Sequence, residues 1–169
     1  MRRLYVLGLL YVVVSLDAHA TWLSFDIQNE DGQSLPCRIH LFDPDGKPQR
    51  AAGLPFWRDH FVCPGAAKLE LPVGRYRYEI ERGPEYERLK GEIVISNESP
   101  QLVRLSLKRI ANLRGEGWFS ADLHIHRPLS QIDLLMQAED LDFAPVITWW
   151  NRRNQWEPHK HPQAGEDER

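Results

Sequence analysis

Residues 35–46 have the sequence LPCRIHLFDPDG, which joins a strand pattern directly to a turn signal. Apolar side chains recur at every second position of this stretch, at Leu35, Cys37, Ile39 and Leu41. Because successive side chains of a strand point to opposite faces, this alternation predicts a half-buried strand. The DPDG segment at residues 43–46 is typical of a tight turn. The stretch therefore predicts a fold built from short strands joined by turns.

The same combination of strand patterns and turns continues from Thr21 to Ile110. The candidate strands cover residues 22–28, 35–41, 56–62, 66–71, 75–82, 89–96 and 102–110. About seven short, closely spaced strands are typical of a small β-sandwich. Aromatic residues at period two, such as Tyr76 and Tyr78, are interpreted as core rather than as a ligand platform. We therefore expect one mainly-β domain over residues 21–110.

The first twenty residues have the pattern of an export signal. Arg2 and Arg3 precede an apolar run from Leu4 to Leu16, and residues 18–20, AHA, have the small-x-small pattern of a cleavage site. The run is short for a membrane span. We therefore expect residues 1–20 to be a signal peptide, with an uncleaved anchor as the alternative. The protein is then exported, periplasmic or extracellular, with no stable membrane anchor after cleavage.

Charge and cysteine content narrow the classes of function. The chain has a formal net charge of −3, and its basic residues form no continuous stripe, which argues against a nucleic-acid partner. Its two cysteines, Cys37 and Cys63, both follow the expected leader. In an exported protein they form one disulfide or remain two buried thiols, and the sequence leaves both alternatives open.

Residues 111–116 look like a linker, and a different pattern follows them. Residues 120–128 read SADLHIHRP, in which Asp122, His124 and His126 share one face of a predicted strand. Two imidazoles at positions i and i+2 can reach one divalent cation, and histidine is a favoured ligand of such metals. The alternative is a pair of solvated side chains. The pattern therefore predicts a metal site, with His124 and His126 as ligands.

A strand–helix–strand order is predicted around this site. Ser130 is a candidate N-cap, and the apolar spacing of residues 132–139 predicts a helix. Residues 142–148 then predict a second buried strand. Such a βαβ unit requires parallel strands.

With these residues assembled, the chain resembles the PHP-type metallohydrolases, in particular the exported branch related to CehA and McbA proteins. The resemblance rests on residues 117–128, GWFSADLHIHRP, and implies the start of a β/α barrel over residues 117–150. It implies that His124 and His126 bind a catalytic divalent metal (Zn, Mn or Fe). Asp122 would orient an imidazole from the second shell, or else bond the backbone, and Arg127 would bind an anionic substrate group, or else be a surface charge. Residues 21–110 in turn resemble the carboxypeptidase-regulatory, immunoglobulin-like or prealbumin-like sandwiches that precede secreted catalytic domains.

Two features depart from that family. The second strand of the family usually ends T-D-H, whereas residues 148–151 read TWWN, and neither Trp149 nor Trp150 can ligate a metal. Only 53 residues run from Gly117 to Arg169, whereas a β/α barrel needs roughly 200 or more. We therefore expect a truncated barrel, followed by a polar tail over residues 151–169. His159 and His161 of that tail could add to a metal site only if the tail were held in place.

Two functions compete at this point. The first is the N-terminal portion of an exported metal-dependent hydrolase that acts on a small-molecule or glycan-type substrate through a metal-activated water. We expect that portion to be inactive alone, and no catalytic residue can be named. The second is a non-catalytic exported β-sandwich that binds a glycan or a protein, with a vestigial metal-site strand. A metal-binding protein that uses both H-x-H pairs is a further, weaker alternative.

Overall fold

The computed structural model describes residues 20–97 and 100–147, together with the backbone of residues 149–150 and 153–154. Residues 1–19 of the expected signal peptide lie outside the described residues, and its last residue, Ala20, is the first residue described. The tail histidines His159 and His161 and the side chains of Trp149 and Trp150 also lie outside the described residues. Among the residues described, no helix is long and apolar enough to cross a membrane.

Two β-sheets form most of the described chain. One has three strands in the order β5-β1-β8, and the other has five in the order β3-β4-β2-β6-β7. The strands are β1 Ala20–Gln28, β2 Cys37–Phe42, β3 Phe56–Trp57, β4 His60–Cys63, β5 Ala66–Pro72, β6 Gly74–Glu81, β7 Leu89–Ile95 and β8 Gln101–Ser106. A separate two-stranded pair joins β9 Trp149–Trp150 to β10 Arg153–Asn154. The mainly-β architecture predicted from the sequence is confirmed.

The inner faces of the two sheets form one hydrophobic core. The three-stranded sheet contributes Leu23, Phe25 and Ile27 from β1, and Leu69 and Leu71 from β5. The five-stranded sheet adds buried side chains that include Ile39, Leu41, Tyr76, Ile80, Ile93 and Ile95. Along β1, β2 and β5 these residues alternate with less buried ones, as expected for sheets packed face to face. The two sheets and their shared core are those of a β-sandwich.

One detail of the sandwich differs from the sequence expectations, and a second was not predicted. The strand expected over residues 56–62 is a hairpin instead, because Arg58 adopts a left-handed φ of 53° and reverses the chain between β3 and β4. β1 and β8 pair in parallel, whereas the other strand pairs of the two sheets are antiparallel. A parallel pair requires a long connection, so no local turn signal could have predicted it.

The expected βαβ barrel unit is wrong for the described residues. The helix is present, as α1 Ile132–Glu139, although its N-cap is Gln131 and Ser130 lies in the preceding 3-10 turn, Leu129–Gln131. The flanking segments make only isolated parallel bridges, Ala121 to Phe143 and Ile125 to Val146, and do not form strands. Leu123, in the first of these segments, is 73% exposed. These bridges are too few to build the first strands of a barrel.

The C-terminal segment, defined here as residues 117–147, packs against the outer face of the five-stranded sheet. α1 contacts β2 and β4. The Asp140 carboxylate, just after α1, accepts hydrogen bonds from Arg82 Nη2 at 2.7 Å and from Arg109 Nη2 at 2.8 Å. Arg82 also donates to the backbone carbonyls of Pro36 and Gln137. These contacts tie the segment to the sandwich and create the space between them.

Candidate functional site

A groove of about 430 Å³ lies between the five-stranded sheet and the C-terminal segment. Its apolar floor and wall include Val62 of the sheet and Leu135 and Met136 of α1. Trp57, on the edge strand β3, lines the groove and is 53% exposed to solvent. A mostly apolar cleft of this size with a few polar groups is typical of a small-ligand site.

The charged side chains that line the groove are balanced. Arg38 and Arg127 face it together with Asp122 and Glu139. Arg127 stacks on Trp57, with its guanidinium carbon 5.1 Å from the ring centroid, and donates to Gln131 at 3.0 Å. With two cations and two carboxylates, the groove favours no strongly charged ligand.

Two guanidinium donors in the groove are buried without a hydrogen-bond partner in the described part of the chain. They are the Nε–H groups of Arg38 and Arg127. Arg38 Nε lies 3.1 Å from a Glu139 oxygen, which is close enough for an ion pair but not aligned as a hydrogen bond. A buried donor left unsatisfied costs about 1–3 kcal/mol. An oxygen-rich ligand in the groove would supply the missing acceptors.

A cluster of imidazoles and carboxylates lies beside the groove on the same outer face of the sheet. His40 of β2 and His60 of β4 have ring centroids 4.9 Å apart. Asp59 reaches both rings, at 3.4 Å from His40 Nδ1 and 3.1 Å from His60 Nδ1. Glu81 of β6 lies 3.1 Å from His40 Nε2. His60 also lines the groove, so the two features meet at this residue.

The pKa shifts in this cluster follow from burial and from paired charges. Burial acts to raise the pKa of Glu81, but the hydrogen bond to His40 and the charge of Arg38 outweigh it, so the pKa is lowered. Burial lowers the pKa of His60, and the hydrogen bond to His60 lowers the pKa of Asp59. In the groove itself, burial raises the pKa of Glu139.

The two histidines singled out in the sequence do come together. His124 Nε2 and His126 Nε2 lie 3.1 Å apart, and both side chains are exposed. The segment that carries them is not a strand, although Ile125 between them makes an isolated bridge to Val146. Metal ligation by His124 and His126 stays a prediction.

The other predicted site residues fall in three different places. Asp122 accepts a hydrogen bond from the backbone N–H of His124 at 3.0 Å, and it also lines the groove with Arg127. Cys37 and Cys63 are buried free thiols that lie directly opposite each other on β2 and β4. A hydrogen bond with Cys63, together with burial, raises the pKa of the Cys37 thiol. The disulfide stays a prediction.

A second cavity, of about 420 Å³, lies nearer the end of the linker. Its charged groups are already paired with one another: Arg109 contacts Glu85 and Asp140, and Arg114 contacts Asp142. These pairs belong to the attachment of the C-terminal segment, which makes this cavity a weaker candidate for a ligand site.

Comparisons with known proteins give only distant structural likenesses. No protein-family profile and no curated protein sequence matches the chain. The minor pilin GBS52 of Streptococcus agalactiae is similar over 55% of this chain and 46% of its own, at 16% identity and a TM-score of 0.44. The TIE protein of Bacillus anthracis is similar over 53% of this chain and 16% of its own length, at 15% identity and a TM-score of 0.40. The major pilin subunit BcpA of Bacillus cereus is similar over 53% of this chain and 29% of its own length, at 17% identity and a TM-score of 0.37. The chain spans less than half the length of each of these structures.

These findings correct the expected family. The similar structures include pilin subunits, not PHP-type metallohydrolases, and no family profile supports the CehA and McbA branch. The assignment to that family, and the hydrolase function drawn from it, are therefore wrong. The motif that suggested them was a single H-x-H segment, and the strand it should have occupied is absent among the described residues.

Proposed function

We propose that this protein is a non-catalytic, exported binding module that holds a neutral glycan in the groove between its five-stranded sheet and C-terminal segment. The observation that carries the proposal is the groove beside the exposed Trp57, in which the buried Nε–H of Arg127 has no hydrogen-bond partner and that of Arg38 has only the unaligned Glu139 carboxylate. The leader pattern of residues 1–20 supports export to the periplasm or cell exterior. We further propose that the sandwich is of the immunoglobulin-like or prealbumin-like type.

The chemistry of the groove fits a sugar. The half-exposed indole of Trp57 offers an apolar ring surface with a polar edge, next to the Arg127 guanidinium. The Nε–H groups of Arg38 and Arg127 can donate to hydroxyl and ring oxygens, and the carboxylates of Asp122 and Glu139 can accept from hydroxyls. Because these four charges cancel, an uncharged polyhydroxylated ligand fits better than an acidic one.

The test is calorimetric titration of the full chain with a panel of neutral oligosaccharides built from glucose, xylose, mannose and N-acetylglucosamine. We expect saturable binding of at least one of them, weakened tenfold or more in Trp57→Ala and in Arg127→Gln. Trp22→Ala is the matched control, because Trp22 is also an exposed tryptophan next to a cation, Lys68, but lies on the three-stranded sheet away from the groove.

Two results would overturn the proposal. One is the absence of saturable binding to every oligosaccharide in the panel. The other is equal loss of affinity in Trp57→Ala and Trp22→Ala, which would place binding outside the groove. A different result would favour a protein ligand over a glycan. In that case a partner protein would bind the wild-type chain, and its affinity would fall in Trp57→Ala but not in Trp22→Ala.

A further inference from the structure

We propose that His40, Asp59 and His60 form a binding site for a divalent transition-metal ion of the Zn²⁺ type. This site is distinct from the predicted His124 and His126 pair, and it does not depend on the proposed glycan function. It lies on the outer face of the five-stranded sheet.

Strand register places the two imidazoles side by side. β2 and β4 are antiparallel, with Cys37 opposite Cys63, Arg38 opposite Val62 and Ile39 opposite Phe61. Continuing this register puts His40 opposite His60, on the face that points away from the core. The side chains are only 16% and 14% exposed, so neighbouring side chains restrict both rings.

The turn between β3 and β4 supplies the carboxylate. Arg58 and Asp59 form this turn, and the left-handed conformation of Arg58 directs the chain back so that Trp57 pairs with His60. The three side chains offer ligand atoms that all lie within 4.8 Å of one another. In a tetrahedral zinc site with bonds of about 2.0–2.2 Å, neighbouring ligand atoms lie about 3.3–3.6 Å apart. The Asp59 oxygens, 3.1 and 3.4 Å from the two ring nitrogens, are already near that spacing.

Glu81 holds His40 in the orientation that a metal-bound histidine usually has. Its carboxylate accepts a hydrogen bond from His40 Nε2 at 3.1 Å, and the other ring nitrogen, Nδ1, lies 3.4 Å from Asp59. Metal-bound histidines usually donate their second ring N–H to a carboxylate in this way.

Two features of the surroundings act on an ion at this site. Arg38 pairs with Glu81 at 2.9 Å and reduces its negative charge, which weakens the site. Asp59 is half exposed, so water can complete the coordination. For Nδ1 of His60 to bind the ion, the ring must carry its proton on Nε2 and not on Nδ1. Moving the proton from one ring nitrogen to the other leaves the charge of the ring unchanged.

The experiment uses a background that removes the other histidine pairs. Substituting four residues leaves the cluster as the only imidazoles apart from His19 of the expected leader: His124→Gln, His126→Gln, His159→Gln and His161→Gln. In this background we expect calorimetry to find one Zn²⁺ per chain. Co²⁺ in place of Zn²⁺ should give the visible absorption bands of a site with nitrogen and oxygen ligands.

Three variants of the background locate the ion. Asp59→Asn should weaken zinc binding tenfold or more, and Glu81→Gln should weaken it by about 10–100-fold, as loss of the outer hydrogen bond does elsewhere. Asp45→Asn, another exposed turn aspartate, is the control and should bind like the background. Because Asp59 is in an exposed turn, its substitution should leave the circular dichroism spectrum unchanged.

The proposal is overturned if the background chain shows no saturable Zn²⁺ binding. It is also overturned if Asp59→Asn binds zinc as tightly as Asp45→Asn. Zinc binding by the wild type that disappears in the background would assign the metal to the H-x-H pairs instead.

Discussion

Replacing Asp140 with asparagine should detach the C-terminal segment from the sandwich. Both carboxylate oxygens of Asp140 are engaged, one by Arg82 at 2.7 Å and the other by Arg109 at 2.8 Å. The side chains of Arg82 and Asp140 are only 11% and 14% exposed, so this is a nearly buried ion pair. Asparagine keeps the size of the side chain and tolerates the left-handed φ of 57° at this position. The substitution therefore removes the charge and little else.

The expected cost follows from what Arg82 loses. Removing one partner of a buried ion pair typically costs about 3–5 kcal/mol, because the remaining charge is left uncompensated. The asparagine oxygen can still accept one hydrogen bond, and the other contacts of Arg82 are backbone carbonyls that remain. We therefore expect a loss near the lower end, about 3 kcal/mol. With a urea m-value of about 2 kcal/mol/M, the midpoint of unfolding should fall by about 1.5 M.

Urea denaturation and amide hydrogen exchange measure this loss. Exchange should accelerate most in residues 117–147, because the broken contacts hold that segment, and least in the core of the sandwich. Glu92→Gln is the control: Arg75 and Glu92 form an ion pair at 2.8 Å, but their side chains are 65% and 51% exposed, so we expect a change below about 0.5 kcal/mol. If Asp140→Asn changed stability no more than this control, the Arg82 contacts would not be what holds the segment.

Three further outcomes are expected. Mild oxidation should join Cys37 to Cys63, which intact mass would show as a loss of two hydrogens. Closing this loop should raise the unfolding free energy by about 3–4 kcal/mol. An unchanged mass would contradict the prediction that the disulfide forms. Since the pKa of His60 is lowered in the folded state, its contribution to stability is present above its unfolded pKa and is lost as pH falls. His60→Gln should therefore flatten the fall in stability below about pH 6.5, and an unaltered slope would refute this. Gly83→Ala should destabilise the attachment of the C-terminal segment, because Gly83 has a φ of 44° and a Cβ there would lie 2.4 Å from the Glu139 carbonyl oxygen; wild-type hydrogen exchange in residues 117–147 would rule it out.

The sandwich was predictable because its core repeats at every second residue. Leu23, Phe25 and Ile27 are buried along β1, and their spacing alone indicates a strand with one face inward. α1 was predictable for the same reason at helical spacing. The hairpin at Arg58 was not, because arginine is rare at a positive φ and the turn contains no glycine, proline or asparagine.

The site was less predictable than the fold, because its residues are far apart in sequence. His40 and Glu81 are 41 positions apart, and only the pairing of β2 with β6 joins them. The sequence did carry one usable signal: His40 alternates with buried residues and so had to lie on the outer face of its strand. The H-x-H segment is recognisable in the sequence because its two histidines are two positions apart, whereas the residues of the cluster around Asp59 form no sequence motif.

The position of the C-terminal segment explains why charged residues occur on the outer face of this sheet. An exposed outer face needs no partners for Arg38 and Glu81, yet Arg38 lies on β2, which α1 contacts, and Glu81 beside it is buried, so that an isolated charge on either is costly. Pairing them with each other removes most of that cost but leaves Arg38 Nε without an aligned acceptor. The groove and its unsatisfied donors therefore arise from the packing of the segment on the sheet. Both parts line the groove, so residues 21–110 alone would lack one wall of the proposed site.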